Sequence, residues 1–260
     1  MRNKIFILFT TFALLSFQTP KEKVRLFIAG DSTAQTYKEN ETLMRGWGQM
    51  LQHFFTDEVK VVNHAIGGRS TKTFIGEGRW DSLLGEIQPG DYVIIQFGHN
   101  DASTRPERHT SYVDYKQNLI QFVNETRAKG GNPILATSIV MRTFKDGNLI
   151  DDRLKAYPAV TRMVAGEYNV PLIDANVVTR DLVLMLGDEA SKPFYRWLGP
   201  GVDKSKPEGV QDDTHMNELG ANQVAMFIAE GIQKLNLKGL SEYVELGELI
   251  PFTTITDSIK

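Results

Sequence analysis

Short apolar runs separated by longer stretches of mixed character set the rhythm of this chain. Val24–Ala29 (VRLFIA), Val59–Ala65 (VKVVNHA), Asp91–Phe97 (DYVIIQF), Asn132–Val140 (NPILATSIV) and Val170–Ala175 (VPLIDA) are rich in Val and Ile and nearly unbroken by polar side chains. A half-exposed strand would alternate, so these runs read as strands covered on both faces, the signature of a parallel sheet. Between them, amphipathic stretches cover Trp47–Phe55, Ser111–Lys129, Leu154–Tyr168 and Val177–Leu186. A last helical pattern begins after Asn217, which is placed to cap it. Strands alternating with helices predict an α/β protein: a three-layer α/β/α domain built on a five-stranded parallel sheet with right-handed crossovers. Residues 21–260 read as one domain. Within it Leu198–Asp213 (LGPGVDKSKPEGVQDD) is expected to be a Gly/Pro-rich surface loop ahead of the closing helix.

The first twenty residues break this rhythm. A basic start (MRNK) leads into the apolar run Ile5–Phe17, and the chain then turns polar at QTPKEK. That layout predicts a secretory signal peptide over residues 1–20, because the run is too short to span a bilayer comfortably. The expected location is therefore secreted or periplasmic, with a retained N-terminal anchor as the alternative. Losing the leader removes Arg2 and Lys4 and no acid, leaving 27 basic and 32 acidic side chains, net −5. That balance gives no reason to expect nucleic acid or a bulk anionic membrane surface as a partner. The chain has no cysteine. Disulfides, thiolate metal sites and Cys nucleophiles are thereby excluded, and stability must come from a full apolar core.

In open parallel sheets, ligands bind beyond the carboxyl ends of the strands. Following the first three strands come GDSTAQ, GGRS and GHND. Ser32, directly after the first strand, needs a neighbouring base to become a nucleophile, and histidine is the usual one. Of the five histidines, His53 reads as packing or surface, His64 as a strand-end hydrogen-bonding residue and His109, within RPERHT, as solvated. His215 stands apart from His99 and the rest because it lies in DDTHMNELGA, three residues after an acid. That spacing lets Asp212 hold Nδ1–H and leave Nε2 free to face a serine. Asp212 and Asp213 would equally serve to solvate the loop and cap the helix. An acyl-transfer oxyanion needs preorganised donors. The Ser32 amide, a glycine amide after the second strand and the Asn100 side chain offer them. Ser70, which follows the glycine pair, competes with Ser32 for the nucleophile's place. No P-loop, dinucleotide-binding glycine pattern or HExxH zinc helix is present.

GDST, AIGGRS, GHND and DDTH occur in the order of the four blocks of the SGNH hydrolases, also called GDSL-like esterases, and the chain resembles that family from residue 30 to 220. The wording GDSTAQ with GGRS, GHND and DDTHMNELGA is most similar to the rhamnogalacturonan acetylesterase branch. The GxSxG elbow of α/β-hydrolases is absent. The resemblance implies a flavodoxin-like SGNH hydrolase fold. It assigns Ser32 as nucleophile, His215 as base and Asp212 as the residue orienting it. Ser32, Gly68 and Asn100 would form the oxyanion hole, which leaves Ser70 as a turn or hydrogen-bonding residue. It further implies a monomeric serine esterase, without cofactor or metal, that removes acetyl groups from rhamnogalacturonan in pectin through an acetyl-enzyme. The alternatives are another acyl specificity, on lipids, thioesters or other acetylated glycans, and a non-catalytic carbohydrate-binding protein. For substrate contacts, Arg69 and Trp197 are the candidates. Trp47 and Trp80 read as core, and Arg45, Lys72, Arg79, Arg105 and Arg142 add positive charge near the strand ends.

Overall fold

A computed structural model describes residues 23–150, 153–154 and 156–247, and the leader expected over residues 1–20 lies outside them. In chain order the elements are β1 (Val24–Gly30), α1 (Trp47–Met50), β2 (Val59–Asn63), α2 (Thr71–Gly76), α3 (Arg79–Glu86), β3 (Tyr92–Gln96), α4 (Tyr112–Ala128) and β4 (Asn132–Ala136). A small hairpin follows, β5 (Phe144–Lys145) and β6 (Asn148–Leu149), then α5 (Tyr157–Glu167), β7 (Leu172–Ile173), α6 (Ala175–Ser191), β8 (Tyr195–Leu198), β9 (Val210–Met216) and α7 (Glu218–Leu235). The main sheet has five strands in the order β2-β1-β3-β4-β7, and every pairing in it is parallel. The five-stranded parallel sheet read from the apolar runs is the sheet observed.

Strand periodicity divides the core into two layers. Leu26 and Ile28 of β1 point to one face, with Ile94 and Ile134, and meet Trp47 of α1 and Val224, Ile228 and Ile232 of α7. Phe27 and Ala29 point to the other, with Val93, Ile95 and Leu135, and meet Trp80 of α3 and Phe122 and Val123 of α4. Consecutive residues of one strand thus serve opposite cores, so the runs carry no polar position. Each large side chain buried this way contributes about 1.5–3 kcal/mol. Trp47 and Trp80 are both fully buried, as their apolar contexts suggested.

Three features differ from the sequence reading. The stretch Trp47–Phe55 is one α-turn followed by a 3-10 turn, Leu51–Phe54. Helices α2 and α3 were not anticipated, because each is short and the first begins at a polar cap: Ser70 accepts from Thr73 N–H at 3.3 Å, while Thr73 Oγ1 accepts from Ser70 N–H at 2.8 Å. The segment read as a loop up to Asp213 ends in a strand. β9 pairs antiparallel with β8, matching Arg196 to Asp212, Trp197 to Gln211 and Leu198 to Val210. The sequence VQDDTHM gives little apolar alternation, so a two-stranded ribbon with polar positions was invisible to periodicity.

Two constraints hold this ribbon and the sheet edge in register. Arg45 N–H donates to Met216 O at 3.1 Å, tying β9 to the segment after β1. Asn217 caps α7 by accepting from Gly220 N–H at 3.1 Å, as its position predicted. Gly220 itself leaves no room: a Cβ there would lie 1.9 Å from the carbonyl oxygen of Phe194. On the other side of the sheet, Asp101 is fully buried and accepts from Thr71 N–H (3.0 Å) and Thr71 Oγ1 (2.6 Å), binding the start of α2 to the loop after β3. Burial pushes its carboxyl up to about 6, against the bonds from Thr71 and Thr110 that favour the ionised form.

Two measurements follow from these contacts. Gly220→Ala should cost about 1–3 kcal/mol of unfolding free energy in urea titration, the range for forced overpacking; an unchanged midpoint would contradict the contact. Asp101 has a raised folded-state pKa, so its contribution to stability is full below about pH 4 and lost as pH rises through about 6. Asp101→Asn removes that titration. Its stability relative to the parent protein should therefore climb between pH 4 and 7.5, by up to about 3 kcal/mol at 1.36 kcal/mol per pKa unit. A difference independent of pH would rule out a perturbed Asp101.

Candidate active site

The strand ends of β1, β2 and β3 open onto one edge, and β9 is brought to the same edge by its bridge to Arg45. There Ser32 Oγ lies 2.9 Å from His215 Nε2, and His215 Nδ1 lies 2.7 Å from Asp212 Oδ2. A carboxylate can only accept, so the ring proton sits on Nδ1, and Nε2 is left to accept from the serine hydroxyl. The other carboxylate oxygen, Oδ1, accepts from the backbone N–H of Thr214 (2.9 Å) and His215 (3.0 Å). Burial alone would raise the Asp212 pKa. The bonds from the His215 ring and these two amides outweigh it and bring the pKa down to about 2. Asp212 is therefore ionised at neutral pH, as a carboxylate facing a developing imidazolium must be.

The donors expected for an oxyanion gather beside this chain. A cleft of about 410 Å³ is lined by Ser32, His215, Gly68 and Asn100 together. Gly68 has φ +81°, a left-handed conformation that glycine adopts without strain. Asn100 donates one amide hydrogen to Arg69 O at 3.2 Å, which fixes the plane of its amide and leaves the second hydrogen for a ligand. Ser70 is fully buried and serves as the cap of α2, consistent with a structural residue.

Behind Ser32 is a second acid–imidazole contact that sequence reasoning did not anticipate. Asp31, fully buried, accepts from Thr33 N–H (2.9 Å) and Thr33 Oγ1 (2.8 Å) through one oxygen. Its other oxygen faces His99 Nδ1 at 3.4 Å, and His99 Nε2 meets Ile139 O at 3.1 Å. Burial works to raise the Asp31 pKa, but His99 and Thr33 outweigh it and hold the carboxyl below its ordinary value. The loops carrying Ser32 and Asn100 are thus joined one residue back from each.

The walls add groups that no motif announced. Tyr37 donates its hydroxyl to Ser32 O at 2.8 Å, and Gln35 accepts from Gly67 N–H, so the loop after β1 clasps the glycine turn after β2. Arg108 and Arg153 also line the cleft. Arg108 lies in RPERHT, a segment that reads as solvated; its position after β3, at the chemically active edge, was the available signal. The two residues chosen as substrate contacts are placed elsewhere. The Trp197 ring is packed between the Arg142 guanidinium (4.7 Å) and Lys192 Nζ (4.4 Å), and its Nε1 donates to Asp213 (2.8 Å). The Arg69 side chain is engaged by Glu77 (3.0 Å) and Gly67 O (2.7 Å). Arg142 is buried against Asp188 and Asp213, and Arg79 is paired with Glu77, so their charges are largely neutralised within the fold. His53 and His109 are exposed, and His64 pairs with Glu86 at 3.5 Å.

Comparison with known proteins identifies the family to which this fold belongs. Residues 28–222 match the GDSL-like Lipase/Acylhydrolase family. The chain is 39% identical over 217 residues to the rhamnogalacturonan acetylesterase RhgT of Bacillus subtilis, an alignment covering 84% of this chain and 93% of that protein. The crystal structure of YxiM from Bacillus subtilis superposes with a TM-score of 0.71 at 28% identity, covering 84% of this chain and 58% of that one. Axe2, an acetylxylan esterase from Geobacillus stearothermophilus, shares the fold with a TM-score of 0.60 at 18% identity, over 84% of this chain and 96% of that one. By sequence and by fold, the chain belongs to the GDSL-like lipase/acylhydrolase family and is a carboxylic ester hydrolase.

Proposed function

We propose that this protein is an exported acetylesterase that removes O-acetyl groups from rhamnogalacturonan. The relatives support an acetylesterase acting on a polysaccharide. The observation that carries the chemistry is the hydrogen-bonded chain from Ser32 through His215 to Asp212, set in a cleft with Gly68 and Asn100. In this reading Ser32 Oγ attacks the acetyl carbonyl as its proton passes to His215 Nε2. The carbonyl oxygen becomes an oxyanion facing the amides of Ser32 and Gly68 and the side chain of Asn100. The bond to the sugar oxygen breaks, and that oxygen takes the proton from His215. Water then attacks the acetyl-enzyme, giving its proton to His215; acetate leaves and Ser32 regains its hydroxyl. Each oxyanion donor contributes about 10²–10³ in rate.

Acyl size follows from the lining. Among the described residues, Met44 is the one long aliphatic side chain on the cleft, whose other walls are glycine backbone, the imidazoles of His99 and His215, the Tyr37 phenol, and amide, hydroxyl and guanidinium groups. An acyl chain gains about 0.8 kcal/mol per methylene only where apolar surface receives it. Export rests on the basic start and the apolar run Ile5–Phe17.

The direct test is acetate release from acetylated rhamnogalacturonan fragments, run beside a series of aryl esters. Release should be rapid, should fall by about 10³-fold or more in Ser32→Ala, and kcat/KM should decline from aryl acetate to butyrate to octanoate. A rising series would instead favour a lipid acyl hydrolase, and an active Ser32→Ala would overturn the mechanism. For export, N-terminal sequencing of protein recovered from the medium or periplasm should find a start between about Phe17 and Glu22. An intact Met1 there would argue against cleavage.

A further inference from the structure

Gly68, the backbone donor of the oxyanion hole described above, belongs to a turn with little of its own to stiffen it. Packing demands glycine there. A Cβ on Gly67 would lie 2.7 Å from Gln35 Oε1 and 3.4 Å from Ser32 Cβ, and Gly68 adopts φ +81°. Two glycines in a row meet both requirements, but they also remove the side chains that normally resist rotation of the peptide plane between them. That plane carries Gly67 C=O and Gly68 N–H. In a trans peptide the two groups are coplanar and point in opposite directions, so whatever fixes the carbonyl also fixes the N–H. The carbonyl is held: Arg69 Nη1 donates to Gly67 O at 2.7 Å. The guanidinium is itself anchored, with Nε donating to Glu77 Oε2 at 3.0 Å, and Arg79 Nε meets the same oxygen at 2.5 Å. Arg69 also reaches the second donor through its backbone, since Asn100 Nδ2 donates to Arg69 O at 3.2 Å.

Resting on the acetylesterase reading above, we propose that Arg69 is a positioning residue for the reaction: its guanidinium latches the Gly67–Gly68 peptide so that Gly68 N–H stays aimed at the ester carbonyl oxygen, and Glu77 keeps Arg69 in place. Without the latch the two glycines let the plane turn over. The Gly67 carbonyl would then face the growing oxyanion where a donor is needed. The bond has an electronic effect as well. A cation on the carbonyl oxygen draws charge through the amide and strengthens its N–H as a donor, as hydrogen bonds in series polarise one another. Arg69 thus acts through the backbone and touches no substrate, which agrees with its pairing to Glu77.

The test measures kcat and KM on an aryl acetate and on an acetylated rhamnogalacturonan oligosaccharide, beside the inhibition constant of a boronic acid that forms a tetrahedral adduct on Ser32. Arg69→Gln should lower kcat by about 10–100-fold on both substrates alike, part of the about 10²–10³-fold that one oxyanion donor contributes. KM should change little, the mark of an interaction made in the transition state. Boronate binding should weaken in proportion, because the adduct mimics that state. The acid limb of the pH–rate profile should not move, since the latch leaves Ser32, His215 and Asp212 untouched. Arg69→Lys should recover part of the rate. Glu77→Ala should show the same pattern at smaller size, and it carries the test if Arg69→Gln fails to fold. A loss confined to the oligosaccharide and expressed in KM would make Arg69 a substrate contact and overturn the latch. Unchanged kcat in Arg69→Gln, or in Glu77→Ala where the former does not fold, would overturn it too while leaving the acetylesterase reading intact. Parent protein that cleaves the aryl acetate and releases no acetate from the oligosaccharide would overturn that reading itself, and the latch would then stand or fall on the aryl acetate.

Discussion

A single 2.9 Å contact, Ser32 Oγ to His215 Nε2, joins residues 183 positions apart, and much of the architecture can be understood as holding its two ends still. One end is rigid by construction. Ser32 follows β1, which lies between β2 and β3 and whose side chains feed both cores. The other end sits on β9, in a ribbon of two strands outside the main sheet. A lone two-stranded ribbon is marginal in water, so β9 borrows its rigidity. It is bridged to Arg45, and its last residue, Met216, enters the core beneath α7. The Asn217 side chain both caps α7 and donates to Pro193 O at 2.6 Å, which locks helix, ribbon and preceding turn into one corner.

The same logic explains why a buried ionic network flanks the ribbon. Asp203, in the turn between β8 and β9, is buried and bonds Arg196 Nη2 (2.8 Å), Ser205 N–H (2.8 Å) and Leu43 N–H (3.1 Å). Burial would raise its pKa, but the bonds from Ser205, Leu43 and Arg196 outweigh that and hold it well below the ordinary carboxylate range. Leu43 belongs to the long segment after β1, beside the cleft-lining Met44. One carboxylate therefore ties the ribbon's turn to the loop that follows β1, beside the cleft.

What was legible in the sequence divides along physical lines. Strands buried on both faces must be apolar throughout, so all five announced themselves as runs, although the last shrank to Leu172–Ile173 in the structure. The His215–Asp212 spacing was legible because the contact is local in sequence, and the structure places His215 against Ser32 with Asp212 behind it. Long-range choices were not. Whether Trp197 faces a ligand or a pair of cations depends on which neighbours the ribbon brings, and nothing in YRWLG encodes Arg142 and Lys192. Arg108 was hidden for the complementary reason: charge in a polar loop looks like solvation until the fold shows that the loop overhangs Gly68.

The distribution of charge around Ser32 completes the picture. Asp212 and Asp31 are both held in their ionised forms, one across His215 and the other directly beside the nucleophile in sequence. Two fixed negative charges so close would oppose the growth of an oxyanion if nothing offset them. In the proposed mechanism Asp212 is offset by the imidazolium that forms as Ser32 loses its proton, a compensation that exists only during reaction. Asp31 is offset by the hydrogen bonds of Thr33, and its second oxygen faces His99 Nδ1 at 3.4 Å, with the far side of that ring against Ile139 O. His99 and Asn100 are consecutive, so the ring that faces the rear carboxylate is carried by the same loop as Asn100. The buried Asp31 carboxylate is thus held by Thr33 and faced by a ring on the loop that carries Asn100, so the segments bearing Ser32 and Asn100 are positioned against one another.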